Sequence, residues 1–256
     1  MKFFKLLKTE DLNTVYKFII EPILDVSFFT KIYILFKFII ISKNVSCSHT
    51  MHEILTISQA FLNIPSSTEG VLVEAGAFKG GSTAKLSIIA KIAKRRLVVF
   101  DSFRGLPQNS DMYFNKEEVF FHNNQSLNKA QKIFLFNKGQ YAGSLQEVKE
   151  NISRYGVLEV CSFHKGWFEK TLPKFSQPVA GIFLDVDLAS STRTCLQYLY
   201  PLLQVNGVLF SHDGHLNLVA DIYKDKQFWK EIVGTKCPKV YGLQKKKLLK
   251  IKKTHI

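Results

Sequence analysis

The sequence predicts an α/β fold, a doubly wound and mostly parallel sheet behind an N-terminal helical extension. Three observations predict it. Short apolar, β-branched runs alternate with helical patterns from residue 71 onward, the signature of a sheet covered by helices on both faces. A glycine-rich turn follows the first run, and an acid closes the second. Five carboxylates, those of Glu74, Asp101, Asp185, Asp187 and Asp213, fall at the carboxyl ends of expected strands. That edge is where open parallel sheets bind ligands.

Residues 1–65 form the helical extension, broken at Pro22 and across Asn44–His49, and residues 66–256 form the ligand-binding domain. Val26 to Ile41 is the strongest apolar stretch, but Lys31 and Lys37 interrupt it. It is too short and too charged for a membrane span, which needs about 20 mostly apolar residues. On a helix, Ser27, Thr30, Lys31 and Lys37 make one polar stripe, with Phe28, Phe29, Leu35, Phe36 and Ile39 elsewhere. Such a helix covers the domain or pairs with another subunit, a homo-oligomer. Peripheral contact with the inner face of a membrane is the rival reading.

Val71–Glu74 is the first expected strand, Gly76 and Lys79–Thr83 the turn, Ala84–Ala93 a helix and Leu97–Asp101 the second strand. Together they span about 30 residues, the length of one parallel crossover. The stretch 104–142 lacks either period and is expected to be a lid or binding loop. Beyond it the expected order is helix Ser144–Arg154, strand Val160–His164 and a short helix Phe168–Lys174. Strand Ile182–Asp185, helix Ser190–Leu203, strand Val208–Ser211 and helix Leu218–Ile232 come next. Val240–Leu243 and Leu248–Lys252 are expected to close the sheet as an antiparallel hairpin.

Thirty-five basic residues against 21 acidic ones leave a net charge of +14. The excess is lysine, with arginine only at Arg95, Arg96, Arg104, Arg154 and Arg193. Base reading and bidentate phosphate recognition favour arginine, so nucleic acid is not the expected partner. Cys47, Cys161, Cys195 and Cys237 make no CxxC pair, which suits reduced thiols in a cytoplasmic protein rather than a zinc ribbon or disulfide framework.

The chemistry concentrates in three places. Glu74-Ala-Gly-Ala-Phe-Lys-Gly-Gly-Ser82 follows the first strand, and Asp101 ends the second. Glycine lets a backbone approach a ligand closely. An acid about 25 residues past Gly76 stands near the distance expected of a ribose-binding carboxylate. The spacing is not that of a dinucleotide or triphosphate loop, which favours an adenosyl ligand without phosphates. Asp185-Val-Asp187 follows the fourth strand, with Asp187 a candidate N-cap for the next helix. Ser211-His-Asp-Gly-His215 follows the fifth. Trp167 and Phe168 are expected to pack beside the ligand; His49 and His52 lie just before the core within reach of an acceptor, with a surface or capping role the expectation.

Taken in order, Glu74–Ser82, Phe100-Asp-Ser-Phe-Arg-Gly-Leu-Pro107, Lys165-Gly-Trp-Phe-Glu-Lys-Thr-Leu-Pro173 and Leu184-Asp-Val-Asp-Leu-Ala-Ser-Ser-Thr192 resemble the macrocin O-methyltransferase family. These are class I, Rossmann-like, S-adenosylmethionine-dependent enzymes that methylate sugar hydroxyls. The resemblance covers roughly residues 48–213. It implies a seven-stranded sheet and a small-molecule hydroxyl acceptor. It also implies cofactor contacts from Glu74, Gly76, Ala77, Phe78, Gly80, Ser82, Asp101, Ser102, Gly166, Trp167 and Asp185. The family's acids at the fourth and fifth strand ends hold Mg²⁺. Here Asp185, Asp187 and Asp213 fit that role, but His212 stands where an acid is usual. Imidazole suits Mg²⁺ less well than oxygen. The site therefore reads either as Mg²⁺ held by Asp185, Asp213 and His212, or as a metal-free centre with Asp187, His212 or His215 as base. A membrane-surface protein that keeps the fold without catalysis is the alternative.

Overall fold

A computed structural model describes residues 9–114, 133–243 and 247–254. Six strands build the main sheet: β1 (Val71–Ala75), β2 (Leu97–Asp101), β5 (Cys161–Lys165), β6 (Val179–Leu184), β7 (Leu203–Ser211) and β8 (Leu249–Lys252). Their order is β5-β2-β1-β6-β7-β8, all parallel except for antiparallel β8. From β1 the chain moves outward to β2 and β5 on one side and returns to β6 and β7 on the other. The junction of β1 with β6 is therefore the topological switch point, where a crevice opens.

Side-chain alternation divides the core into two layers. Leu72, Val99, Phe183 and Phe210 face one hydrophobic cluster, and Val73, Val98, Ile182 and Leu209 face the other. The first layer is covered by α4 (Gly81–Ile92), α5 (Leu145–Tyr155) and the N-terminal helices, the second by α7 (Ala189–Leu199) and α8 (Asn217–Ile222). Burial on both faces is why β2 and β6 read as continuous apolar runs.

Among the described residues the main sheet has six strands where seven were expected. Val240–Leu243 contributes only one bridge, between Tyr241 and Lys250. Gly242, at φ 84°, turns the backbone away immediately afterwards. The expected helix Leu218–Ile232 is also divided. It breaks before Asp225, whose side chain caps a new start by accepting from the Phe228 amide at 2.9 Å, the usual competition of Asp with a helix interior. Within 104–142 the described residues hold a two-stranded ribbon of β3 (Met112–Phe114) and β4 (Ile133–Leu135). Fully buried Tyr113 fastens it, its hydroxyl accepting from the Ala189 amide at 3.0 Å. The rest of the expected loop, 115–132, lies outside the described residues.

The N-terminal helices are α1 (Thr9–Ile20), α2 (Phe28–Asn44) and α3 (Met51–Leu62). Ser27 caps α2. Thr50 and Glu53 form a reciprocal capping box on α3, which satisfies two amides that would otherwise lack partners. Phe18, Phe38 and Phe61 belong to the same cluster as Leu72 and Phe210.

The polar stripe expected of α2 is inverted at Lys31. Its side chain is buried and donates to the carbonyls of Ile19 (3.1 Å) and Glu21. A cation at the end of α1 satisfies carbonyls that the helix leaves unpaired and complements its dipole. In consequence aromatic residues face outward, with Phe29 81% and Phe36 61% exposed. Among the described residues no helix is long and apolar enough to cross a membrane.

Because α2 belongs to the sheet's own core, Phe38→Ala should destabilise the chain by about 3–5 kcal/mol. A urea titration should keep one cooperative transition. A separate early transition for the helices would contradict a shared core.

Candidate active site

Parallel hydrogen bonding continues one residue beyond the strands. The amide of Gly166 donates to Asp101 (2.9 Å), Gly76 to Phe100 (3.0 Å), Asp185 to Ala75 (2.9 Å) and His212 to Leu184 (2.9 Å). Residues far apart in sequence are thus drawn into one row above the sheet. Gly76, Asp101, Gly166, Asp185 and His212 border a cavity of about 590 Å³ at the switch point.

Gly76, at φ 92°, occupies the tightest point. A Cβ there would lie 1.9 Å from the carbonyl oxygen of Asp185, so only glycine fits. Beside it Asp101 accepts from the Ala77 amide through Oδ2 and from the Phe103 amide through Oδ1, both at 2.6 Å. Burial pushes the Asp101 carboxyl up in pKa, and these amides restrain the rise. The N-terminus of α4 has no side-chain cap. Gly81 and Ser82 line the cavity at that terminus, a natural place for an anionic group.

Of the residues expected to bind cofactor, Gly76, Ala77, Phe78, Ser82, Asp101, Ser102, Gly166, Trp167 and Asp185 line the cavity. Glu74 and Gly80 do not. Alternation along β1 turns Glu74 with Leu72 toward α4, where it is fully buried near the hydroxyls of Ser82 and Thr83. Burial pushes its carboxyl up to about 7 despite those hydroxyls. Gly80, at φ 83°, packs on Val148 and sets the start of α4.

Asp185, Asp187, His212, Asp213 and His215 also line this cavity. His212 Nδ1 lies 3.0 Å from Asp185 Oδ1, and its Nε2 lies 3.3 Å from Glu53 Oε1. His49 Nε2 lies 3.1 Å from Asp185 Oδ2. Burial disfavours charge on His212, yet Asp185 and Glu53 outweigh it and raise the imidazole to about 10. Burial likewise opposes ionisation of Asp185, and the two histidines overcome it, holding that carboxyl well below its usual range.

Asp213 and Asp187 move the other way. Burial and then the charge of Asp185 bring Asp213 up to about 6. Burial and the charges of Asp213 and Asp185 raise Asp187. His215 is lowered to about 4 by burial, Lys247 and His212, so it is neutral at neutral pH.

Two expectations need correction here. Asp187 does not cap α7. Leu188 holds the cap position without a side-chain bond, while Asp187 sits at φ 59°. The expected ligand set of Asp185, Asp213 and His212 does not converge either. Asp213 Oδ2 instead accepts from the amides of Val186 (3.1 Å) and Asp187 (3.0 Å), holding that turn in shape.

The sequence reading also missed His49, which is not at the surface but buried beside His212, with ring centroids 4.4 Å apart. Cys47 joins it. Burial raises this thiol, but its hydrogen bond with His49 and the charge of Lys85 bring it down to about 6. Lys85 Nζ donates to its sulfur at 3.2 Å. No spacing in the Asn44–His49 break signals either residue. His52 has a structural place, its amide donating to Asp11 Oδ1 at 2.8 Å.

Residues 51–232 match the macrocin-O-methyltransferase (TylF) family. The chain belongs to this family. Among curated relatives, the 8-demethyl-8-(2,3-dimethoxy-α-L-rhamnosyl)-tetracenomycin-C 4′-O-methyltransferase of Streptomyces olivaceus is 32% identical over 162 residues, 61% of this chain and 57% of that protein. The demethyldecarbamoylnovobiocin O-methyltransferase of Streptomyces niveus is 31% identical over 156 residues, 59% of this chain and 55% of that protein. The matched segment therefore spans less than two thirds of either relative. The O-methyltransferase NovP shares the fold with a TM-score of 0.62 at 24% identity, covering 82% of this chain and 84% of that one. The calicheamicin methyltransferase CalS11 does so at 0.57 and 15% identity, covering 95% and 91%. These likenesses establish for the family member described here a class I methyltransferase fold.

Burial of Glu74 makes stability depend on pH. Below 4.5 both folded and unfolded chains hold this proton; as pH rises toward 7 the unfolded chain releases it first, so folding loses stability across that window. Glu74→Gln should remove this loss, and its advantage in urea midpoint over the parent should grow from pH 4.5 to 7. An advantage that does not change with pH would contradict the buried, proton-holding carboxyl.

Proposed function

We propose that the chain is an S-adenosylmethionine-dependent O-methyltransferase acting on a hydroxyl of a small, sugar-like acceptor. The single observation that carries this reading is the contact of Ala77 with Asp101 beside Gly76, at the mouth of the switch-point cavity. An adenosyl group needs just this: an approachable backbone, a fixed acid for its ribose and an uncapped helix end for its carboxylate. Asp101, Ser102 and Gly76 would hold the nucleoside, with Trp167 at its edge and the start of α4 against the amino-acid end. Family membership supports the reaction class, and the sugar-directed name of the Streptomyces olivaceus relative supports the acceptor class.

When bound, the cofactor supplies an electrophilic methyl group on a sulfonium. The chain's task is to orient the acceptor and receive its proton. Asp187 suits that second task. It lines the cavity, and burial and its acidic neighbours raise its proton affinity. Neutral His215 borders the same space and can position the hydroxyl. Four free cysteines accord with a cytoplasmic location.

The outward face of α1 and α2 supports a second proposal, pairing with another copy of the chain. Tyr16, Ile20, Phe28, Phe29, Tyr33 and Phe36 are all exposed there. Such aromatic enrichment is typical of the core of protein interfaces.

Calorimetry with S-adenosylhomocysteine should show binding to the parent chain and none to Gly76→Ala. In methyl-transfer assays on sugar hydroxyls, Asp187→Asn should lose about 10²–10⁴-fold in kcat. Absence of binding by the parent chain would remove the proposed function, and full activity in Asp187→Asn would remove that residue's role. Light scattering should report a dimer that Phe29→Glu with Phe36→Glu converts to monomer. A monomeric parent that floats with anionic liposomes would replace the pairing with membrane contact.

A further inference from the structure

The residues here do not suit the Mg²⁺ that the family resemblance implies. Mg²⁺ demands a nearly complete set of oxygen donors. The carboxylate of Asp185 faces an imidazole nitrogen on each side instead, and Asp213 is engaged with backbone amides. From this arrangement we infer a different site: His49, Asp185 and His212 bind a nitrogen-preferring divalent transition ion of the Zn²⁺, Co²⁺ or Fe²⁺ class. The ion lies in the cavity wall.

Three observations support it. The ligand atoms of these residues all lie within 4.8 Å of one another. The two nitrogen-to-carboxylate distances are 3.1 and 3.0 Å. The two contacts use different oxygens of Asp185, Oδ2 toward His49 and Oδ1 toward His212, so an ion with donors at about 2.1 Å would sit between the imidazoles as the side chains close around it.

Each imidazole also has an outer partner. His212 Nε2 lies 3.3 Å from Glu53 Oε1, and Glu53 is held in turn by the Thr50 amide at 2.8 Å. His49 has Cys47 as its electrostatic neighbour, and the Cys47 sulfur accepts from Lys85 at 3.2 Å. A metal-binding histidine almost always has its second nitrogen supported in this way.

Finally, all three residues border the cavity, whose open side leaves room for a further ligand. Two imidazoles and one carboxylate with open positions select transition ions over Mg²⁺. The assignment of an ion stands on these residues alone.

The test titrates the full chain with CoCl₂, following visible absorption and counting metal after dialysis. One Co²⁺ per chain should bind, with d–d bands of a nitrogen-containing site, and a large excess of Mg²⁺ should not displace it. His49→Gln should abolish the bands, while Glu53→Gln should weaken binding by about 10–100-fold. Thermal melts and S-adenosylhomocysteine titrations on each variant confirm folding and report separately on the proposed function. A parent chain that binds no Co²⁺, that exchanges it freely for Mg²⁺, or that is matched by folded His49→Gln overturns the metal site. Cofactor binding in those cases would leave the methyltransferase reading intact.

Discussion

Extension of the parallel ladder past the ends of the strands is the constraint on which the site depends. Each of the four bonds, from Gly166, Gly76, Asp185 and His212, joins residues separated by long stretches of sequence. A slip of one residue in any strand pair would reverse its side chains between the two core layers. The apolar alternation of Leu72 with Val73 and Phe183 with Ile182 opposes such a slip. Core packing and site geometry are therefore set by the same register. The missing Cβ of Gly76 then lets β1 and β6 approach at the point where the chain reverses its winding.

Within that frame, one compact array sorts its acids by environment. Asp185, flanked by two imidazoles, remains ionised, while Asp213 and Asp187 bear the repulsion of their neighbours and hold protons more tightly. Groups a few ångströms apart thereby acquire different chemical tasks, a common means by which one site provides both charge and proton transfer. Glu53 belongs to the same array from the other side, joining a helix cap to the buried histidine.

Much of this architecture was legible in the sequence. Strands β1, β2, β6 and β7 carry runs so apolar that their identity is nearly independent of context, and the glycines and acids following them mark the ligand edge. Failures occurred where local pattern and tertiary environment diverge. Lys31 looked like a solvent residue because lysine usually is one; a carbonyl cluster at the end of α1 reverses that preference. Glu74 belonged to the right motif but to the wrong face of its strand, which no motif encodes. Tyr241 had strand character, yet Gly242 ended the pairing after one bridge. His49 had no periodic or motif signal, because its position depends on how two helices fold back on Asp185 and His212, more than 100 residues away.

The location of His49 also bears on how such enzymes diversify. The segment matching the family begins at residue 51, and Cys47 and His49 reach the cavity from the connector just before it. That connector packs closely on the fold, with Ser46 and Cys47 against Gly81 and the His49 ring against Phe183. Changing a few of its residues would re-equip the chamber with new donor atoms while the inherited scaffold stays the same. The atoms facing this chamber thus come partly from a connector and not from the strand ends alone.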